Sequence, residues 1–208
     1  MGLCKPADYK ESESAKNKIY GVLPYIAPEI LRGQNYTKIS DINSFGIIMY
    51  EVISGLPPYH DVSHNINLSI KICQGLRPRF NIKVPQLIVH LIKKCLDANP
   101  LIRPTVNEIK EILDKWRYYE NKSEIGEQIK EADEINDRLT YETHSEAVYT
   151  SRLLNFDKLP EPKNSDDYYD ERNDNIISEN FSVESLQINN ISQLKISDAD
   201  TELVNPIK

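Results

Sequence analysis

The chain has 208 residues, 39% hydrophobic and 27% charged, with a net charge of −7. The charge is unevenly placed: residues 1–118 carry 16 basic and 11 acidic side chains, residues 119–208 carry 9 and 21. That split predicts a packed part followed by a polar, acidic tail, and with no long apolar run among the 208 residues neither a membrane span nor a secretory leader is expected. Cys4, Cys73 and Cys95, like the four scattered histidines, lack metal-ligand spacing. The thiols are expected to be reduced and the location cytoplasmic.

Residues 3–24 are charged and irregular, with Pro6, Gly21 and Pro24 and no sustained period. From Ile39 to Ser54, Ile42, Phe45, Met49, Val52 and Ile53 recur at helical spacing. Gly46 and Ile48 make this helix apolar almost all round, which predicts burial on most sides. Gly55 and Pro57-Pro58 close it. Residues 65–74 predict a shorter helix ending near Gly75. A third begins around Pro85, with Leu87, Ile88, Leu91, Ile92 and Cys95 on one face. The fourth follows Pro104: Thr105 and Glu108 fit a capping box, and Val106, Ile109, Ile112, Leu113 and Trp116 form its apolar stripe. No alternating strand pattern competes, so the expected class is mainly α. In residues 119–145, Ile125, Ile129, Ala132, Ile135 and Leu139 fit an amphipathic helix, and 146–208 reads as an acidic, mostly disordered tail.

Met1-Gly2-Leu3-Cys4 has the form of a lipidated N-terminus in which Gly2 and Cys4 would carry acyl chains. Pro6 stands where the myristoylation pattern wants Ser or Thr.

The string Gly21-Val22-Leu23-Pro24-Tyr25-Ile26-Ala27-Pro28-Glu29 resembles the end of a protein kinase activation segment, with its A-P-E signature. Twelve residues after Glu29, Asp41-Ile42-Asn43-Ser44-Phe45-Gly46 is similar to the start of the long central helix of a kinase C-lobe. Gly55-Leu56-Pro57-Pro58-Tyr59 resembles the loop after that helix. Cys95-Leu96-Asp97, Asn99-Pro100 and Arg103-Pro104-Thr105 match the last kinase signature. Four such strings in the family's order make residues 1–118 resemble the C-terminal lobe of a eukaryotic protein kinase. The style is that of tyrosine-kinase-like Ser/Thr enzymes, similar to a lineage-expanded fungal set. Gly2 would then be the glycine of the metal-binding D-F-G motif, whose aspartate would precede Met1.

The resemblance implies that Gly21, Val22, Leu23, Pro24 and Tyr25 form the loop that positions the substrate residue. Val22 stands where Ser/Thr kinases usually carry Thr and tyrosine kinases Pro, so the hydroxyl specificity stays open. Glu29 and Arg103 are expected to form a buried structural ion pair, and Asp41 to start the central helix. From its place alone, Asp41 is a helix N-terminal carboxylate favoured by the dipole. Tyr9, Ser12, Ser14 and Tyr20 are candidate phosphosites, with Lys10, Lys16 and Lys18 near them. A merely solvated loop is the plainer reading of that stretch. Further on, Ala147 to Arg152 and Leu159 to Ser165 resemble tails of the same fungal set.

Phosphoryl transfer needs a glycine-rich loop, a lysine–glutamate pair, a catalytic-loop aspartate and asparagine, and a metal-binding aspartate. The 208 residues hold neither a G-x-G-x-x-G nor an H-R-D-type loop, and no aspartate precedes Gly2. The resemblance therefore implies a fragment of a protein kinase. The family activity is ATP-dependent phosphorylation of protein Ser/Thr, or Tyr, with ATP and Mg as cofactors. This chain alone is expected to bind neither and to be inactive. The alternative is a non-catalytic module that binds a protein partner. On either reading the partner is protein, not nucleic acid or membrane. Full burial of Ile42, Phe45, Ile48, Met49, Val52 and Ile53 would contribute about 9–18 kcal/mol. In a complete kinase a preceding helix supplies part of it, so poor solubility is expected.

Overall fold

A computed structural model describes residues 19–80, 82, 84–119, 141–156 and 158–166. It is mainly helical. Strand β1 (Ile19–Gly21) leads through a 3-10 turn, Leu23–Tyr25, into the short helix α1 (Pro28–Leu31), where a proline opens the first turn. Helix α2 (Lys38–Ser54) follows. Its start is a closed capping box, with Thr37 Oγ1 accepting from Ser40 N (3.2 Å) and Ser40 Oγ from Thr37 N (3.0 Å). It ends at Gly55, whose φ of +66° supplies the left-handed turn.

Helix α3 (Ile66–Cys73) is capped by Asn65, which accepts from Asn67 N at 2.8 Å. Helix α4 (Gln86–Cys95) starts after Pro85 and carries Lys93 and Lys94 in its last turn, where the dipole favours cations. A 3-10 turn, Pro100–Ile102, joins it to α5 (Val106–Tyr119). The expected capping box opens α5: Glu108 Oε2 accepts from Thr105 N at 2.7 Å, and Thr105 Oγ1 accepts from Glu108 N at 3.3 Å.

The centre of the lobe is the contact of α2 with α4. Gly46 makes it close, since a Cβ there would lie 2.8 Å from the Cβ of Cys95 and 2.9 Å from Leu96 Cδ2. Ile47 and Tyr50 pack against Val84, Ile88, Val89, Ile92 and Leu96. Ile42, Leu91 and Cys95 receive Ile109 of α5. A further cluster joins β1, α1 and α3 and includes Leu154 and Leu159.

Three expectations change. First, α2 is not buried all round: Ile48 is 43% and Val52 76% exposed. Among the described residues, its neighbours lie on the Ile42–Ile47–Tyr50 side. Second, a strand is present after all. β2 (Arg152–Leu154) pairs antiparallel with β1, setting Ile19 opposite Leu154, Tyr20 opposite Leu153 and Gly21 opposite Arg152. Third, the segment through 166, assigned by sequence to the tail, lies partly on the lobe. The amphipathic stripe of 120–140, the disorder expected of 167–208, and the acylation candidates Gly2 and Cys4 fall outside the described residues. Among the described residues, no helix is long and apolar enough to cross a membrane.

Two free thiols are buried in this core. Burial pushes the Cys95 thiol up to about 12 and that of Cys73 up to about 11, each from 9.0. The native state thus favours the protonated thiols. Their contribution is fully present below pH 9 and is lost as pH rises through about 11 and 12. Tyr59 and Tyr149, also raised by burial, act with the same sign. We expect the urea midpoint to fall across that alkaline window, and both thiols to resist a disulfide reagent at neutral pH until the chain unfolds.

Candidate functional site

The segment Gly21–Glu29 is held from two sides. Tyr25 N donates to Val22 O (3.0 Å) and Ile26 N to Leu23 O (3.1 Å), closing the turn. Val22, Leu23, Pro24, Ile26 and Ala27 are buried beneath it. Tyr25 is the fastening to α2: its hydroxyl donates to Glu51 Oε2 at 2.6 Å, and its carbonyl accepts from Ser44 Oγ at 2.7 Å. Burial, and then the Glu51 carboxylate beside it, push the Tyr25 phenol well above its ordinary range, so it remains a donor. At the other end, Tyr36 Oη donates to Tyr20 O at 3.1 Å. Gly21 leaves room for Ile26, whose Cδ1 would lie 2.9 Å from a Cβ there.

Just past this turn, Glu29 and Arg103 meet although 74 residues separate them. The pair is bidentate: Nη1 to Oε1 at 2.6 Å and Nη2 to Oε2 at 2.7 Å, with Arg103 4% and Glu29 6% exposed. Arg103 also donates through Nε to Asp97 O (2.9 Å) and through Nη1 to Ile39 O (3.2 Å). One guanidinium therefore ties α1, the start of α2 and the turn after α4 together. Few of its donors are left unsatisfied, which is the condition for an ion pair to survive burial.

Asp41 stands exposed in the first turn of α2, where its charge faces the dipole and raises the nearby Tyr36 phenol after burial has done so. Tyr20 is 44% exposed on β1, opposite Leu153. Tyr9, Ser12 and Ser14 lie outside the described residues. Val22 presents no hydroxyl, and its side chain is buried. Sequence reading missed Ser44 and Glu51 as the fastenings of the loop. Two helical turns separate them, so they share a face of α2, and that spacing was the available signal. It also missed Arg32, whose guanidinium pairs with Glu161 (Nη1 to Oε2, 2.7 Å).

The model of the protein tyrosine and serine/threonine kinase family matches residues 1–113, more than half of the chain. The chain belongs to the protein kinase family. A probable serine/threonine-protein kinase of Dictyostelium discoideum is 35% identical over 92 residues, covering 44% of this chain and 6% of its own length. The serine/threonine protein kinase ypkA of Aspergillus fumigatus is 38% identical over 114 residues, covering 54% and 17%. A solved chain, from the AtMLKL3 tetramer, is 37% identical, covers 43% of this chain and 17% of its own, and superposes with a TM-score of 0.41. The chain thus holds part of a kinase domain and spans a small fraction of its relatives' lengths.

Kinases use ATP and Mg. The residues present do not fit that group: the phosphate-covering loop, the catalytic loop and the D-F-G aspartate are all missing from the 208 residues. Among the described residues, no three of His, Cys, Asp and Glu come together as a candidate metal site.

Proposed function

We propose that this chain is the substrate-side lobe of a protein kinase, whose reaction is ATP-dependent phosphorylation of protein Ser/Thr. By itself it transfers no phosphate. What carries this reading is the segment Gly21–Glu29, buried from below, fastened to α2 through Tyr25 and anchored through Glu29–Arg103. A loop that orients a peptide must not move while the hydroxyl is placed, because much of phosphoryl-transfer catalysis is positioning. The lobe supplies that rigidity, and the 208 residues contain no glycine-rich or catalytic loop to hold a nucleotide. The named relatives support serine and threonine as the acceptors.

The purified chain, incubated with labelled ATP, Mg and a mixture of protein substrates, is expected to label none of them above a no-protein control. Labelling that disappears on heat denaturation would overturn this. A second reading, a non-catalytic module that binds a protein partner, is favoured by one observation. The outward face of α2 presents Ile48 and Val52, with Phe45 and Met49 half-buried beside them. Pull-down of a partner lost on Val52→Asp, with no role for an upstream kinase segment, would favour it.

A further inference from the structure

Residues 147–156 and 158–164 lie across the lobe as a strap, and their contacts are those of a bound peptide. The backbone of Arg152–Leu154 adds a strand to β1. Side chains alternate accordingly: Leu154 is 3% exposed and Leu153 52%. Farther along, Leu159 is 8% exposed and shares the cluster of Leu23, Ile30, Leu31 and Leu68. Glu161 takes the Arg32 guanidinium bidentately. Lys163 N donates to Cys73 O at 2.9 Å. Asn164 accepts from Ala98 N at 2.9 Å and donates to Asp97 Oδ2 at 3.1 Å. Main-chain pairing for affinity, with spaced side-chain anchors for selectivity, is the logic of strand-addition recognition.

The groove is shaped for this. Gly75, at φ +106°, lies so near the strap that a Cβ would come within 2.5 Å of Ser165 N. At the entry, His64 is buried and reads Val148: with its proton on Nε2, it donates to Tyr59 O (3.1 Å) and accepts Val148 N–H on Nδ1 (3.0 Å). Tyr149 stacks edge-on against the same ring and donates to Pro58 O at 3.0 Å.

Two features set the strap apart from the rest of the core. Its apolar anchors, Leu154 and Leu159, enter the cluster of β1, α1 and α3, while the clusters joining α2 to α4 and α5 contain no strap residue. The fit also has gaps: Ser151 Oγ is buried with no hydrogen-bond partner among the described residues, and a cleft of about 370 Å³ opens between Arg32, Asp97 and Glu161–Asn164.

We infer that the strap, residues 147–156 and 158–164, is a releasable ligand held in cis by a peptide groove of the lobe, with Leu154, Leu159, Glu161 and Asn164 as its anchors. Because Arg152 pairs with Gly21, occupancy orders the strand that runs directly into the Gly21–Tyr25 loop. The docking itself does not depend on what that loop does.

Amide hydrogen exchange on the intact 208-residue chain tests this without any activity. Strap and β1 amides are expected to exchange together, protected but roughly ten-fold or more faster than those of α2 and α4, the mark of a sub-global opening. Glu161→Arg and Arg32→Glu should each speed strap exchange several-fold and leave α2 unchanged, and the two combined should restore it. Strap amides exchanging at the α2 rate would make the segment ordinary core. Unprotected strap amides would mean no docking. Failure of the combined variant to restore protection would remove Glu161 as an anchor. Each of these overturns the inference.

Discussion

Arg103→Ala is expected to lower the unfolding free energy by about 3–5 kcal/mol, because it strands the Glu29 carboxylate in a buried site. A domain of this size has roughly 5–15 kcal/mol in total, so the variant should stand near its folding limit. Glu29→Ala should cost a similar amount. The double variant Glu29→Ala/Arg103→Ala should lose less than the sum, since no lone charge remains buried. It should still lose something, because Arg103 also satisfies the carbonyls of Asp97 and Ile39. Urea unfolding of the four proteins measures the cycle. Strict additivity would mean that the two side chains do not act as a pair.

The second large effect is a contrast within α2. Ile47, 2% exposed against α4, is expected to cost about 2–5 kcal/mol when cut to Ala. Val52, 76% exposed five residues later, should change stability by less than about 0.5 kcal/mol when cut to Ala. Equal losses would place a neighbour over Val52, as in a helix buried on all sides. Two aliphatic truncations on one helix thereby report which face is packed.

That contrast shows where sequence reading stops. Periodicity finds α2, and Gly55 ends it, because both signals are local: an apolar repeat and a residue that tolerates positive φ. The Thr105–Glu108 box is local in the same way. Periodicity gives no account of which neighbours stand beside a helix, so Val52 and Ile47 look alike in the string. The joining of Glu29 to Arg103 is not contained in any spacing, and only the family resemblance suggested it. The strap was hidden for a different reason. Leu154 and Leu159 are two anchors in a stretch rich in Pro, Asn and charge, with no repeat to mark them. A segment that binds by strand addition needs only a few such anchors, which makes its composition read as tail.

The most direct test of the central claim supplies what the 208 residues do not contain. The upstream part of the kinase domain of the Dictyostelium discoideum relative would be joined ahead of this chain, with its D-F-G aspartate placed directly before the Met1-Gly2 position. Transfer of labelled phosphate from ATP to a protein substrate would then be measured for the fusion and for the chain alone. The account predicts transfer to serine or threonine by the fusion and none by the chain. Transfer by the chain alone, or a folded, ATP-binding fusion that phosphorylates nothing, would contradict it.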